Sequence, residues 1–599
     1  MKELVAFDLE VYPNYFLIGF KKLSDGKKLQ IEVIGKDNAL TIEQVKHIKA
    51  TLKKYTVFGF NSMRYDMPVM CKMLDRVTPN YIFQMSKAIV EDNLQTWQTY
   101  RRFETQTDPA QFDHIDISEP SPAVFVSLKA YGARLHSKKL QDLPYPFDTN
   151  LTSAQMAEIK SYNINDLDTT IDLYNEIKDR IDLRVEMSKQ YGQDLRSKSD
   201  AQIAEAVIIK ELAKQGVEAT RAKIPNQVRY EAPKCIKFNT PMLQAIVKRI
   251  QLEPFKINPK NGSPVLPDWL KKMPLVIGST KYQIGIGGLH SKEKGMVVIP
   301  NDDEVLRNID VTSYYPSMIL EYGFYPKRLT TRFLNVYGTI YDTRLKAKAE
   351  KNMVVSDGLK IVLNGSFGKL GSMYSKLYAP DLMLQVTITG QLMLLMLIEQ
   401  LEAVGISVKS SNTDGVEIIC PKRREGLLEA IVFDWEIATG MNMEHGEYKA
   451  LYARDVNNYV AVYDGYTKSK GVYAEPTLSK NSEYPIVFTA IKKFLLDGTP
   501  MQYTIEDCTD ITQFLTARTV KGGAVWQGQY LGKVVRWYYA RGGTSIHYQT
   551  NNNKVPKSDG ARPMMDLPDS KVKTLPSDLD YDKYLELAEG HLKDLGWRG

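Results

Sequence analysis

Runs rich in hydrophobic positions over residues 4–35, broken by polar turns at Pro13-Asn14 and Ser24-Asp25-Gly26, predict three short strands. The apolar run 56–60 reads as a buried strand, and a helix opens behind it at 68–74. Apolar residues at helical spacing mark 153–181, with Ser153 as the N-cap. Strands first and helices after predict a compact α/β domain that ends near residue 185. Pro225, Pro233, Pro254, Pro259 and Pro264 then interrupt a mixed connecting region. A strand follows from Leu306, helices are expected over 337–351, 357–367 and 392–404, and a hairpin over 406–420. From about Ser479 helix mixes with the glycine- and aromatic-rich stretch 521–526, and no internal repeat is visible.

At 599 residues the chain is too long for one core. With 43% hydrophobic and 25% charged residues it is expected to fold rather than stay disordered. The surplus of 78 basic over 71 acidic residues, +7, permits a nucleic acid partner without demanding one. Its 35 tyrosines are mostly core or rim, although aromatic faces can stack on bases. Cys71, Cys235, Cys420 and Cys508 lack paired spacing, which argues against a disulfide framework or zinc cluster and fits a reducing cytoplasm. Met1 leads into a strand-like run and not a basic-then-apolar segment, so no secretory leader is expected. The richest apolar stretch, 392–398, is seven residues, short of a membrane span, so a soluble, cytoplasmic protein is expected.

Phe7-Asp8-Leu9-Glu10 places two carboxylates on one face of a strand, an arrangement that is costly without a cation between them. Asn61-Ser-Met-Arg-Tyr65-Asp66 offers a third acid after the next strand. Tyr162 and Asp166, four apart on a helix, share a face. Each piece alone is ordinarily a solvated edge or surface. Together, four carboxylates and a phenol can hold two metal ions about 4 Å apart, with the tyrosine orienting a water toward a phosphodiester.

A second acidic constellation lies in the middle of the chain. Asp310 ends a strand beside the Val311 carbonyl, and Ser313-Tyr314-Tyr315-Pro316 turns into a helix. Lys360, Asn364 and Phe367 form one helical stripe suited to a triphosphate and its base. Gly365 and Gly368 suggest close approach of a backbone or base pair. Arg344 and Lys348, also four apart, add charge for the same phosphates. Asn412-Thr413-Asp414-Gly415 occupies a hairpin tip, where Asp414 can partner Asp310 across two Mg²⁺ ions.

The order of the first three acidic pieces, over residues 1–185, resembles the proofreading 3′–5′ exonuclease of the DnaQ-like, ribonuclease-H-like group. That resemblance implies metal ligation by Asp8, Glu10, Asp66 and Asp166, catalysis with Tyr162, strand contacts by Asn61 and Tyr65, and a helper lysine at Lys138 or Lys139. The second constellation resembles motifs A, B and C of family B DNA polymerases, in the small phage and mobile-element branch, and the likeness spans nearly the whole chain. It implies an α/β and α+β multidomain protein. The exonuclease would be followed by a connecting region and first part of the palm (186–320), fingers (321–385), second part of the palm (386–475), and thumb with C-terminal region (476–599). Asp310, Val311 and Asp414 would hold two Mg²⁺, for which Mn²⁺ can substitute, and Tyr315 would block a ribose 2′-hydroxyl. Tyr282 with Gly287 and Gly288, then Tyr459, Lys468 and Lys470, would grip primer and template.

Asn412 stands where motif C usually carries aspartate, Gly365 and Phe367 replace the commoner serine and tyrosine of motif B, and Asn457 precedes Tyr459 where a lysine is usual. Only 50 residues separate Asp310 from Lys360 and 54 separate Lys360 from Asp414, leaving little room for protein-priming insertions. The resemblance therefore implies a phage-encoded monomer, in the host cytoplasm, that extends a nucleic acid primer on single-stranded or primed DNA with deoxynucleoside triphosphates. A helicase, clamp or single-strand-binding protein would assist it. An exonuclease with a decayed polymerase half, a primer-independent polymerase and a non-catalytic strand-binding protein stand as alternatives.

Overall fold

The structure, a computed structural model, describes residues 2–123, 125–568 and 575–598. The chain partitions into two compact units, each built from three stretches. Met1–Ser199, Pro476–Ile486 and Cys508–Tyr584 form the first; Asp200–Glu475, Val487–Asp507 and Leu585–Gly599 form the second. The boundary expected at 185 thus falls at 199, and the stretch 476–599, expected to be one C-terminal region, is divided between both units.

In the first unit a five-stranded sheet runs in the order Lys28–Ile34, Tyr15–Lys22, Leu4–Tyr12, Thr56–Gly59, His114–Asp116. The first three strands are antiparallel, as their tight turns require, and the last two join in parallel. Alternation along Leu4–Tyr12 sends Phe7, Leu9 and Val11 into one buried cluster and Ala6 into another with Phe58, Leu167 and Tyr174. The helix Ser153–Glu176 is capped by Thr152, not Ser153: Thr152 Oγ1 accepts from Gln155 N–H, and Gln155 Oε1 accepts from Thr152 N–H. It stops at Ile177, short of the expected 181, and a second helix covers Lys178–Tyr191. The paired strands Thr516–Trp526 and Gln529–Tyr539 also belong here, where Ala517 and Val534 pack on Ala130 and Ala133 of the helix Leu128–Arg134.

The second unit centres on a seven-stranded sheet with Glu304–Val311 between Met443–Tyr448 and the hairpin strand Gly415–Pro421, all antiparallel. Ser407–Asn412, Leu289–Ser291, Thr280–Ile284 and Leu275–Ile277 continue it. A four-stranded sheet runs Met296–Val298, Ala450–Asp455, Asn458–Val462, Thr467–Lys470. The expected helices exist but run longer, as Arg332–Ala349, Met353–Leu370 and Pro380–Ala403. The last corrects the seven-residue reading of its apolar stretch: at 24 residues it is long and apolar enough to cross a membrane, yet 83% of its apolar window is buried inside this unit. Burial on every side makes it a core helix, and that is why it lacks a polar stripe from which its ends could be read.

Candidate active sites

In the first unit, Asp8, Glu10 and Asp166 bring ligand oxygens within 4.8 Å of one another. Asp8 and Glu10 lie two apart on the central strand, and the helix Ser153–Glu176 lays Asp166 across them. The approach depends on a glycine. Asp8 pairs with Gly19 on the neighbouring strand, where any Cβ would collide with Asn163 Oδ1, and Asn163 Nδ2 donates to Asp8 Oδ2 at 2.9 Å. Asp66 stands outside that trio but is the strongest charged neighbour of Asp8. It opens the helix Asp66–Met73, behind a turn cinched by the buried Asp116, whose carboxylate accepts from the N–H groups of Asn61, Met63 and Ser118, each at 2.9 Å. Asn61 itself is exposed with φ 56°, a left-handed conformation stored beside the site. Tyr65 is half-buried, its hydroxyl 2.6 Å from Ser86 Oγ.

The electrostatics fit a divalent cation. Burial, then the charges of Asp66 and Asp166, push the Asp8 carboxyl well up; burial and Asp8 do the same to Glu10. Burial and Asp116 raise Asp66 to about 8, and burial raises Asp166 to about 6 against the pull of Lys129 and the Tyr162 hydroxyl. A hard oxygen-ligand set that cannot shed its protons unaided is suited to Mg²⁺ or Mn²⁺. The lysine at this cluster is Lys129, which corrects the expectation of Lys138 or Lys139. Lys129 Nζ lies 4.9 Å from the Tyr162 ring centroid and 3.1 Å from Asp142 Oδ1. Lys138 and Lys139 instead line a separate cleft of about 670 Å³ with Lys21 and Asp168.

In the second unit, Asp310 sits in the strand Glu304–Val311, opposite Gly415 on one side and Glu444 on the other. Val311 N–H donates to the Asp414 carbonyl at 2.8 Å, which ties the strand to the hairpin tip. Thr413, at φ 62°, makes the tip turn. A Cβ on Gly415 would collide with Asp310 Oδ1, so glycine is what lets the two aspartates converge. Burial raises both carboxyls; Asp310 adds to the rise at Asp414, while Asn308, Lys468 and Lys470 oppose it at Asp310.

The two aspartates floor a cleft of about 740 Å³ that Val311, Tyr315, Arg344, Lys348, Lys360, Asn364, Phe367 and Lys468 also line. Tyr315 is fixed on two sides: its hydroxyl donates to Gly287 O at 2.7 Å and its ring lies 4.5 Å from that of Phe367. Arg344 Nη1 donates to Ser313 Oγ at 3.0 Å, and its buried Nε has no hydrogen-bond partner among the described residues. An orphaned guanidinium donor facing a cleft fits an anionic ligand. Gly365 is explained by packing, because a Cβ there would lie 2.8 Å from Ala204 Cβ and 3.0 Å from Asp200 O. Tyr459 pairs with Lys470 on adjacent strands, and Gly288 abuts Thr413, where a Cβ would lie 2.9 Å from Oγ1. Tyr282, expected to contact template, is 2% exposed inside the sheet and has no surface to offer; that expectation is corrected.

Around this second site, three polar residues escaped the sequence reading. Glu444 lines the cleft as a third carboxylate. Asn308 Nδ2 lies 3.2 Å from Asp310 Oδ1 and 3.4 Å from Glu417 Oε1, so it bridges Asp310 to a buried acid. Burial, then Asp310 and Glu293, push Glu417 up to about 7. Asn308 and Asp310 at i and i+2 are a legible signal; Glu417 required the register. Asn412 Nδ2 donates to Val456 O at 3.1 Å, a role a carboxylate would not fill.

No family model and no curated protein matches this sequence. Among solved structures, the family B DNA polymerase from the hyperthermophilic archaeon Pyrobaculum calidifontis is similar, with a TM-score of 0.42 and 14% identity over 100% of this chain and 78% of that one. The residues and distances above, and not this likeness, carry the function argued next.

Proposed function

We propose that the chain is a DNA-directed DNA polymerase with 3′–5′ proofreading exonuclease activity. The observation that carries the polymerase is the convergence of Asp310 and Asp414, through Gly415, at the floor of a cleft walled by Arg344, Lys348 and Lys360. Bound there, Mg²⁺ or Mn²⁺ would neutralise phosphate charge and acidify the primer 3′-hydroxyl. Asp310 and Asp414 would hold it, with the Val311 carbonyl beside them. Arg344, Lys348 and Lys360 would bind the triphosphate, Asn364 and Phe367 would flank its sugar and base, and the clamped Tyr315 would leave no room for a 2′-hydroxyl. Tyr459, Lys468, Lys470 and the Gly287-Gly288 loop would position primer and template.

In the first unit, Asp8, Glu10, Asp66 and Asp166 would hold the metal of the nuclease, Tyr162 would orient the attacking water, and Asn61 and Tyr65 would contact the frayed strand. The short spacing between the motifs supports use of a nucleic acid primer, with a helicase, clamp or single-strand-binding protein for long products, as in replication of a phage genome.

A 5′-labelled primer–template incubated with Mg²⁺ reads both activities. Elongation is expected with deoxynucleotides and shortening without them. Asp310→Ala should abolish elongation and spare shortening, and Asp66→Ala should do the reverse. Wild-type elongation by Asp310→Ala would refute the polymerase assignment.

A further inference from the structure

A second cleft in the second unit, of about 640 Å³, takes no part in either site. It opens along Met296–Val298, an edge strand whose outer side pairs with no strand among the described residues. Met296, Val297, Val298 and Ile299 all line it. Alternate residues of a strand face opposite ways, so four in succession means that the cleft meets the strand along its backbone edge. The ladder fixes which groups point outward. Gly295 N–H donates to Arg454 O at 3.1 Å, and antiparallel alternation then puts Val297 in the inward-bonded pair with Tyr452. The N–H and C=O groups of Met296 and Val298 then point away from the partner strand, and Gly596 lies near the Gly295–Met296 peptide, where a Cβ on Gly596 would come 3.2 Å from Met296 N. Val297 is 37% and Ile299 57% exposed beside them. An open strand edge with exposed aliphatic side chains is a feature that proteins cover or use.

The rim of this cleft carries Lys281, Lys292, Lys294 and Lys409 against Glu293 and Glu304, four charges less two, a net of +2. None of the four lysines forms an ion pair among the described residues. The lining contains no arginine and no aromatic ring, the groups that grip phosphate bidentately and stack bases. An open ladder, aliphatic side chains and dispersed lysines match a polypeptide better than a nucleic acid strand. We infer that this cleft binds an extended, acidic segment of a partner protein, which adds as a strand along Met296–Val298 while its carboxylates meet the lysines.

The test uses the full chain and a fluorescein-labelled peptide alternating aspartate with valine, followed by anisotropy. Saturable binding that weakens with added salt is expected, and the same peptide N-methylated on alternate backbone nitrogens should not bind. Lys292→Glu/Lys294→Glu should weaken binding about tenfold or more. Met296→Pro removes an outward N–H that proline can forgo on an edge strand, and should weaken binding comparably while the thermal unfolding midpoint stays within a few degrees of wild type. Equal binding of the N-methylated peptide, or by Met296→Pro, would overturn strand addition. Displacement of the peptide by oligo(dT), with loss in the lysine variant but not in Met296→Pro, would make the cleft a nucleic acid groove and overturn the inference as well.

Discussion

The key aspartate of each site faces a glycine across an antiparallel pair: Asp8 opposite Gly19, and Asp310 opposite Gly415. In both cases the missing side chain makes room for a polar group at the site, Asn163 in one and the Asp310 carboxylate itself in the other. Gly415→Ala is therefore expected to cut elongation about 100-fold, by forcing Asp310 off its partner, while the 3′–5′ activity persists. Steady-state extension of a labelled primer measures this, and an alanine variant as active as wild type would disprove the steric role. Tyr315 makes the matching case for specificity. Held by Gly287 O and Phe367, it cannot swing aside, so Tyr315→Val should raise ribonucleotide incorporation, and unchanged sugar selection would remove it from the pocket wall.

Secondary-structure elements set how the nuclease carboxylates are brought together, and that has a pH signature. Asp66, raised to about 8, and Asp166, raised to about 6, keep protons in the native state that they lose in the unfolded chain near pH 4. Native protein then binds more protons than unfolded protein between about pH 4 and 8, so without metal stability falls as pH rises through that window, by at most about 1.4 kcal/mol per pH unit per group. Asp66→Asn should flatten part of this slope in EDTA, and Mg²⁺ at pH 8 should stabilise wild type more than the variant. Parallel melting curves for the two proteins from pH 5 to 8 would defeat the account. At this scale the sequence was informative where turn residues bound an apolar run or where one face of a helix meets water. Turns at Pro13-Asn14 and Ser24-Asp25-Gly26 bound the N-terminal strands and Asp414-Gly415 marks the hairpin, although the first two strands and Gly415–Pro421 are buried almost throughout. The helix carrying Tyr162 and Asp166 shows its period because water touches one face. The ends of Pro380–Ala403 were hidden because no face meets water. Lys129 and Glu417 were hidden for another reason: each reaches its site through a fold contact that no local spacing encodes.

Across the whole molecule, neither unit is a contiguous stretch of sequence, and this has a consequence for the nuclease. Residues 508–584 return to the first unit and support its site from outside the N-terminal segment. Tyr530 Oη donates to Asp142 Oδ2 at 2.9 Å, Asp142 Oδ1 accepts from Lys129 Nζ at 3.1 Å, and Lys129 lies over the Tyr162 ring. Arg536 reinforces the same join, its guanidinium donating to Ser137 O at 3.1 Å and to Met565 O at 3.1 Å. A fragment ending at 199 would leave Ala130 and Ala133 without Ala517 and Val534, and is expected to lose nuclease activity. Point variants test the chain of contacts without that disruption. Lys129→Met should slow 3′–5′ shortening about 10–100-fold, whereas Lys138→Met and Lys139→Met should leave it unchanged. Tyr530→Phe, which deletes one hydroxyl far along the sequence, should slow it on the order of fivefold and leave elongation intact. Additive losses in the Tyr530→Phe/Lys129→Met double variant would show that the two act separately; losses no larger than that of Lys129→Met alone would show that Tyr530 works by holding Lys129 in place.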